Sequence, residues 1–141
     1  MKKIKYMFFV VVALGLMGCQ GKIKQCNDLI NTINQHIQSS NKFNSQDKSK
    51  LDLKAYNEYA DEIDKLKEKI AKVSVKDAKL KEMVKEYSDF LSELSAGVRD
   101  FGKAMDSKDS EKIGKASKDL SEITAKESPL TSKINQYCHS L

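Results

Sequence analysis

Apolar residues recur every three or four positions over long stretches of this chain, which is the period of a helix, and the alternation that marks a strand is absent. The first stretch, about residues 23–38, sets Ile23, Cys26, Ile30, Ile33 and Ile37 on one face with Leu29 beside it, and a polar loop rich in Ser, Asn, Asp and Lys follows over 39–50. The second, about 51–73, carries Tyr56, Tyr59, Ile63, Leu66, Ile70 and Val73 in alternating steps of three and four, a heptad seam. Its outer face alternates in charge and reads as solvated. The third, about 76–106, has the broadest stripe: Leu80, Met83, Val84, Tyr87, Phe90, Leu91, Leu94, Val98, Phe101 and Met105. A stripe that wide predicts contact with two neighbours. The fourth begins after Ser107-Lys108 and passes through Ile113, Ala116, Leu120 and Ile123 to Leu130, Ile134 and Tyr137. Ser128-Pro129 within it is either the N-cap and first turn of a new segment or a kink. Short links near 74–75 and 107–109 make consecutive helices antiparallel, so the expected fold is all-α, an up-down-up-down four-helix bundle.

A different pattern precedes the first helix. Met1-Lys2-Lys3-Ile4-Lys5 is basic, and the apolar run from Tyr6 to Leu16 is too short to span a bilayer stably, which is the form of an export leader. The run ends in Leu16-Met17-Gly18-Cys19, and these four residues resemble the lipobox of bacterial lipoproteins. The resemblance covers only the leader. It implies diacylglycerol on the Cys19 thiol, cleavage before Cys19 and often a third acyl chain on the new amine, an attachment that holds stably where a single chain would not. Gln20 stands where an aspartate marks inner-membrane retention in enterobacterial lipoproteins, so the resemblance points to the outer membrane, facing the periplasm or the cell surface. An uncleaved signal anchor, or a plain signal peptide with a chance cysteine, is the other reading. The chain thus divides into a signal peptide (1–18), a lipidated N-terminus and tether (19–25) and a single helical-bundle domain (26–141).

Without the leader 123 of the 141 residues remain, enough for one core and no second domain. Loss of Lys2, Lys3 and Lys5 lowers the formal charge from +5 to +2, and the remaining charges are interspersed. Neither a basic patch nor aromatic interleaving points to nucleic acid. Arg99 is the sole arginine among 25 basic residues, which disfavours a phosphate-gripping cluster.

Apart from Cys19 the chain holds Cys26 and Cys138, a pair with one internal connectivity. An up-down bundle sets the start of the first helix beside the end of the fourth, where these two lie, so a disulfide staple is expected, with two buried thiols as the alternative. The paired short spacing of a zinc site is missing, and c-type haem attachment would need a cysteine at position 135, where Asn135 stands. Six residues between Cys19 and Cys26 keep the stapled end within roughly 25 Å of the lipid attachment. Lys22 and Lys24 fall within this tether, available to an anionic surface.

Other candidate chemistry is sparse. Haem ligation of the b-type cytochrome kind needs a His and a Met on different helices, and His36 with Met83 or Met105 is the available set. His36 falls off the main stripe and reads as a satisfied or exposed histidine, and the methionines as core filler. His139 near the terminus has no evident partner. Gly97, Gly102 and Gly114 suggest close helix approach or, alternatively, a ligand groove. Tyr56, Tyr59 and Tyr87 read as core-boundary residues, and Asp61 with Asp64 as surface charge. With no nucleophile and base at interpretable spacing, we expect no catalytic, cofactor or metal residues. The expected function is that of a membrane-anchored envelope lipoprotein acting as a small non-catalytic binding or accessory module. Its partners would be the membrane, through the lipid, and an unidentified envelope protein, with no nucleic acid. The alternative is a helical-bundle carrier of haem, metal or a small apolar ligand.

Overall fold

Three aspartates start three of the helices. The Asp52 carboxylate accepts the Ala55 amide, Asp77 accepts those of Lys79 and Leu80, and Asp109 those of Glu111 and Lys112. Each thereby satisfies amides that have no partner inside the helix. The computed structural model describes the backbone of residues 10–47 and 50–140 and, within these, the side chains from Gly21 onward. It contains α1 (Val10–Asn44), α2 (Leu53–Ala71), α3 (Ala78–Ser107), α4 (Ser110–Thr124) and α5 (Glu127–His139), with no strand among the described residues. The chain is a four-helix bundle stapled by one disulfide, its fourth helix broken into α4 and α5.

The break falls at 125–126, ahead of Ser128-Pro129, and Lys126 rather than Ser128 occupies the cap position of α5. Pro129 lies in the first turn of α5, where its missing N–H costs no helical bond. Between α3 and α4 the chain turns within two residues because Lys108 adopts the left-handed conformation (φ 55°) and returns its amide to the Met105 carbonyl.

The axis of the molecule is the α2–α3 pair. Tyr56, Tyr59, Ile63, Leu66 and Ile70 of the heptad seam are buried, as are Leu80, Met83, Tyr87, Phe90, Leu91, Leu94 and Val98 of the α3 stripe. That stripe serves three neighbours rather than two: α2 along its length, α5 against its first half and α4 against its second. Helix α4 packs on α3 and contributes no fully buried residue, with Ile113, Ala116, Leu120 and Ile123 half covered.

Helix α1 departs most from expectation. It continues to Asn44, through the first half of the segment expected to be a loop, because Phe43 stacks on the Tyr59 ring (4.0 Å between centroids) and meets Tyr56 edge-on at 5.7 Å. Its buried face is Cys26, Leu29, Ile33 and His36, so Leu29 is central rather than flanking, while Ile23 and Ile37 are exposed. Cys19 lies within the helical backbone of α1, and the lipobox side chains fall outside the described residues. No described helix is long and apolar enough to cross a membrane.

Candidate functional site

Polar side chains converge at two places: the disulfide end of the bundle and a layer across its middle. At the first, Cys26 and Cys138 are bonded with their Cα atoms 5.6 Å apart, the separation a disulfide needs. Around them Asp77 acts as a hub. One carboxylate oxygen caps α3 and accepts the Tyr137 hydroxyl at 2.8 Å, and the other meets the Lys22 ammonium at 3.1 Å. These donors, led by the Leu80 amide, pull the Asp77 carboxyl down to about 2. Gln25 adds a second tie, its side-chain oxygen accepting the backbone N–H of Lys76. Residues 22–25, assigned to the tether although the helix was expected from about residue 23, are thus helical and docked onto the α2–α3 link.

The second site takes a residue or two from each of α1, α2, α3 and α5. His36 Nε2 lies 3.3 Å from Ser40 Oγ and 3.5 Å from Glu127 Oε1. Ser40 Oγ lies 2.7 Å from the Tyr59 hydroxyl, and the Tyr87 hydroxyl donates to Glu127 Oε1 at 3.1 Å. His36 is 2 % exposed, so the sequence placement off the core stripe is corrected: it faces inward and is satisfied there. Burial disfavours the imidazolium and lowers the His36 pKa, although the Glu127 carboxylate opposes the shift. The Tyr87 hydroxyl is pushed well above its ordinary value, by burial first and then by the adjacent Glu127.

A serine, a histidine and a glutamate within reach invite comparison with a hydrolytic relay. Such a relay sets the serine on one ring nitrogen and the acid on the other. Here both approach Nε2, so the three cannot pass a proton from serine to acid through the ring. What the layer does is fix register, since a turn's slip of α1 or α5 would strand buried polar groups.

Stability should therefore respond to His36. A histidine with a folded pKa below its unfolded value of about 6.5 stabilises fully above that value, and the contribution is lost as pH falls toward the lowered folded pKa. Thermal melts between pH 8 and pH 5 should fall from about pH 6.5 downward, and His36→Gln should flatten that slope. A wild-type profile level across the window would contradict the assignment.

The remaining candidates are placed as follows. Met83 is buried and Met105 half-buried, both packed in the core, and His139 is exposed at the end of α5. Among the described residues no three His, Cys, Asp or Glu side chains are grouped to hold a metal. Tyr56, Tyr59 and Tyr87 lie in the core rather than at its boundary, and the buried Tyr56 hydroxyl has no hydrogen-bond partner among the described residues. Asp61 and Asp64 converge on Arg99, at 2.6 and 2.8 Å, which fastens α2 to α3 at the surface. Such an exposed bridge is worth under about 1 kcal/mol. Gly97 and Gly102 lie at close helix contacts, against α4 and α2, while Gly114 faces open space. Glu127, which closes the central layer, carried no signal in the sequence, since only the break after α4 turns its side chain inward.

Among the clefts on the surface of the described residues, three lie as follows. One of about 250 Å³ lies between α1 and α2 beside His36, Tyr59 and Glu62. Another, of about 760 Å³, runs between α3 and α4 over Gly97 and Ala104, and the third, of about 510 Å³, lies between α3 and α5 over Phe90 and Leu130. No protein-family model, curated protein or solved structure matches the chain.

Proposed function

We propose that the chain is a lipid-anchored lipoprotein of the bacterial envelope whose stapled bundle acts as a non-catalytic binding or accessory module at the outer membrane. The observation that carries this reading is the treatment of the residues after Cys19. They continue the helical backbone of α1, and Lys22 and Gln25 are bound to Asp77 and Lys76. Along a helix Cys19 is about 10 Å from Cys26, well inside the extended-chain limit. A lipid on Cys19 would then hold the bundle rigidly by its stapled end, with the far end turned away from the bilayer. The ionisable residues of the central layer are engaged with one another, which supports a role through surface contacts rather than chemistry.

Replacing Cys19 with Ala should leave unmodified precursor or release protein into the soluble fraction. Membrane partitioning equal to wild type would refute the lipid assignment, as would wild-type protein from its host with a mature N-terminus elsewhere and no acyl mass. Purified domain should also show neither a Soret band nor stoichiometric metal, and the appearance of either would make it a carrier.

A further inference from the structure

Helix α1 carries two seams, and the bundle fills one of them. The inner seam, Cys26, Leu29, Ile33 and His36, is buried against the neighbouring helices. The outer seam is Ile23, Asn27, Ile30, Asn34, Ile37 and Asn41, in strictly alternating steps of four and three. Ile23 (46 % exposed) and Ile37 (37 %) are the large hydrophobic side chains left exposed among the described residues, and Ile30 between them is half-buried, with one side packed against the core. Asn27, Asn34 and Asn41 are exposed. These positions form a heptad repeat with isoleucine at every d and asparagine at every a.

The surroundings of this seam are unusual for the molecule. Charged residues make up 32 % of the chain, yet none occurs in α1 between Asp28 and Lys42. The outer face of α2, by contrast, alternates Asp and Glu with Lys throughout. Depletion of charge with isolated large apolar side chains marks the centre of an interface rather than a solvated face.

We propose that the occupant is a second copy of this chain, its α1 paired in parallel with the first along the Ile/Asn seam. The repeat is self-complementary: in a parallel two-stranded coil each a residue faces its own copy, and asparagine facing asparagine forms a hydrogen-bonded pair that selects two strands and one register. A partner without amides at the matching positions would bury three unpaired carboxamides. Asparagine at all three a positions makes the pairing weak in free solution. Confinement of both copies to one surface raises their effective concentration, which compensates. The parallel direction rests on the lipid-anchor reading, since two chains fixed at Cys19 bring the same end of α1 together.

The test is disulfide cross-linking of the full-length chain in bacterial membranes, with Asn34→Cys, Asn41→Cys and, on the distant α4, Lys118→Cys. Asn34→Cys and Asn41→Cys should each give a covalent homodimer on mild oxidation, and Lys118→Cys should not. Adding Asn34→Lys, an exposed change, should abolish the dimer formed by Asn41→Cys. A dimer from Asn34→Cys without one from Asn41→Cys means antiparallel pairing and overturns the proposal. So do a cross-link to a different protein, no cross-link, or equal cross-linking through Lys118→Cys. Fractionation separates this test from the anchor: a chain found soluble sinks the lipid reading, and the same cross-links scored on it still decide whether α1 pairs with α1.

Discussion

Replacing Cys26 and Cys138 together by serine should lower stability by roughly 4 kcal/mol, the loop-closure entropy that a crosslink across 112 residues removes from the unfolded chain. For a domain of this size that corresponds to a fall in melting temperature of about 15 °C. The effect should be large here because α1 and α5 meet along a short line, tied by the disulfide at one end and by the His36–Glu127 contact about 15 Å further along. Calorimetry of the variant, and of the wild type with and without dithiothreitol, measures it. Equal melting of the oxidised and reduced protein would remove the staple from any account of the fold.

Glycine-to-alanine substitutions should act with opposite signs at two positions. A Cβ on Gly102 would lie 3.0 Å from the Tyr56 Cγ and 2.6 Å from its Cβ, an atom fixed to the α2 backbone that no rotamer change can withdraw. Helices α2 and α3 would have to separate at their main contact. We expect Gly102→Ala to destabilise by about 2 kcal/mol, overpacking outweighing the gain of about 1 kcal/mol in helix propensity. At Gly114 no heavy atom lies within 4 Å of the added methyl, so the propensity gain stands alone and Gly114→Ala should stabilise by about 1 kcal/mol. Gly97 is intermediate, since its close neighbours are the side-chain ends of Leu120 and Ile123, which can yield. Urea midpoints for the three variants should rank Gly114→Ala above wild type and Gly102→Ala below it. A Gly102→Ala protein as stable as wild type would mean that α2 and α3 do not approach so closely.

The unequal legibility of these features follows from what a linear pattern can encode. The heptad of α2 and the stripe of α3 were readable because burial there is set by one dominant partner, and the period of apolar residues reports it directly. The pairing of Cys26 with Cys138 was readable for a topological reason, since antiparallel helices of similar length return the chain to its starting end. Close approach at Gly97 and Gly102 was anticipated, but the same expectation at Gly114 was not met, because only the placement of α4 on α3 decides which glycine faces a neighbour.

Helix α1 shows where pattern fails. It carries apolar residues on two sides, and hydrophobicity alone favoured Ile23 and Ile37 over His36 for the core. The structure reverses that order: Glu127 and Ser40 supply the hydrogen bonds that let His36 be buried, and those partners come from a distant helix and from one turn further on. Sequence by itself determined the helical class, the main seam and the staple, because each depends on residue type at short or topologically fixed spacing. The inward turn of His36, the role of Glu127 and the exposed Ile/Asn face were decided by tertiary structure alone, because whether a polar group can be buried depends on which partners the packed helices bring to it.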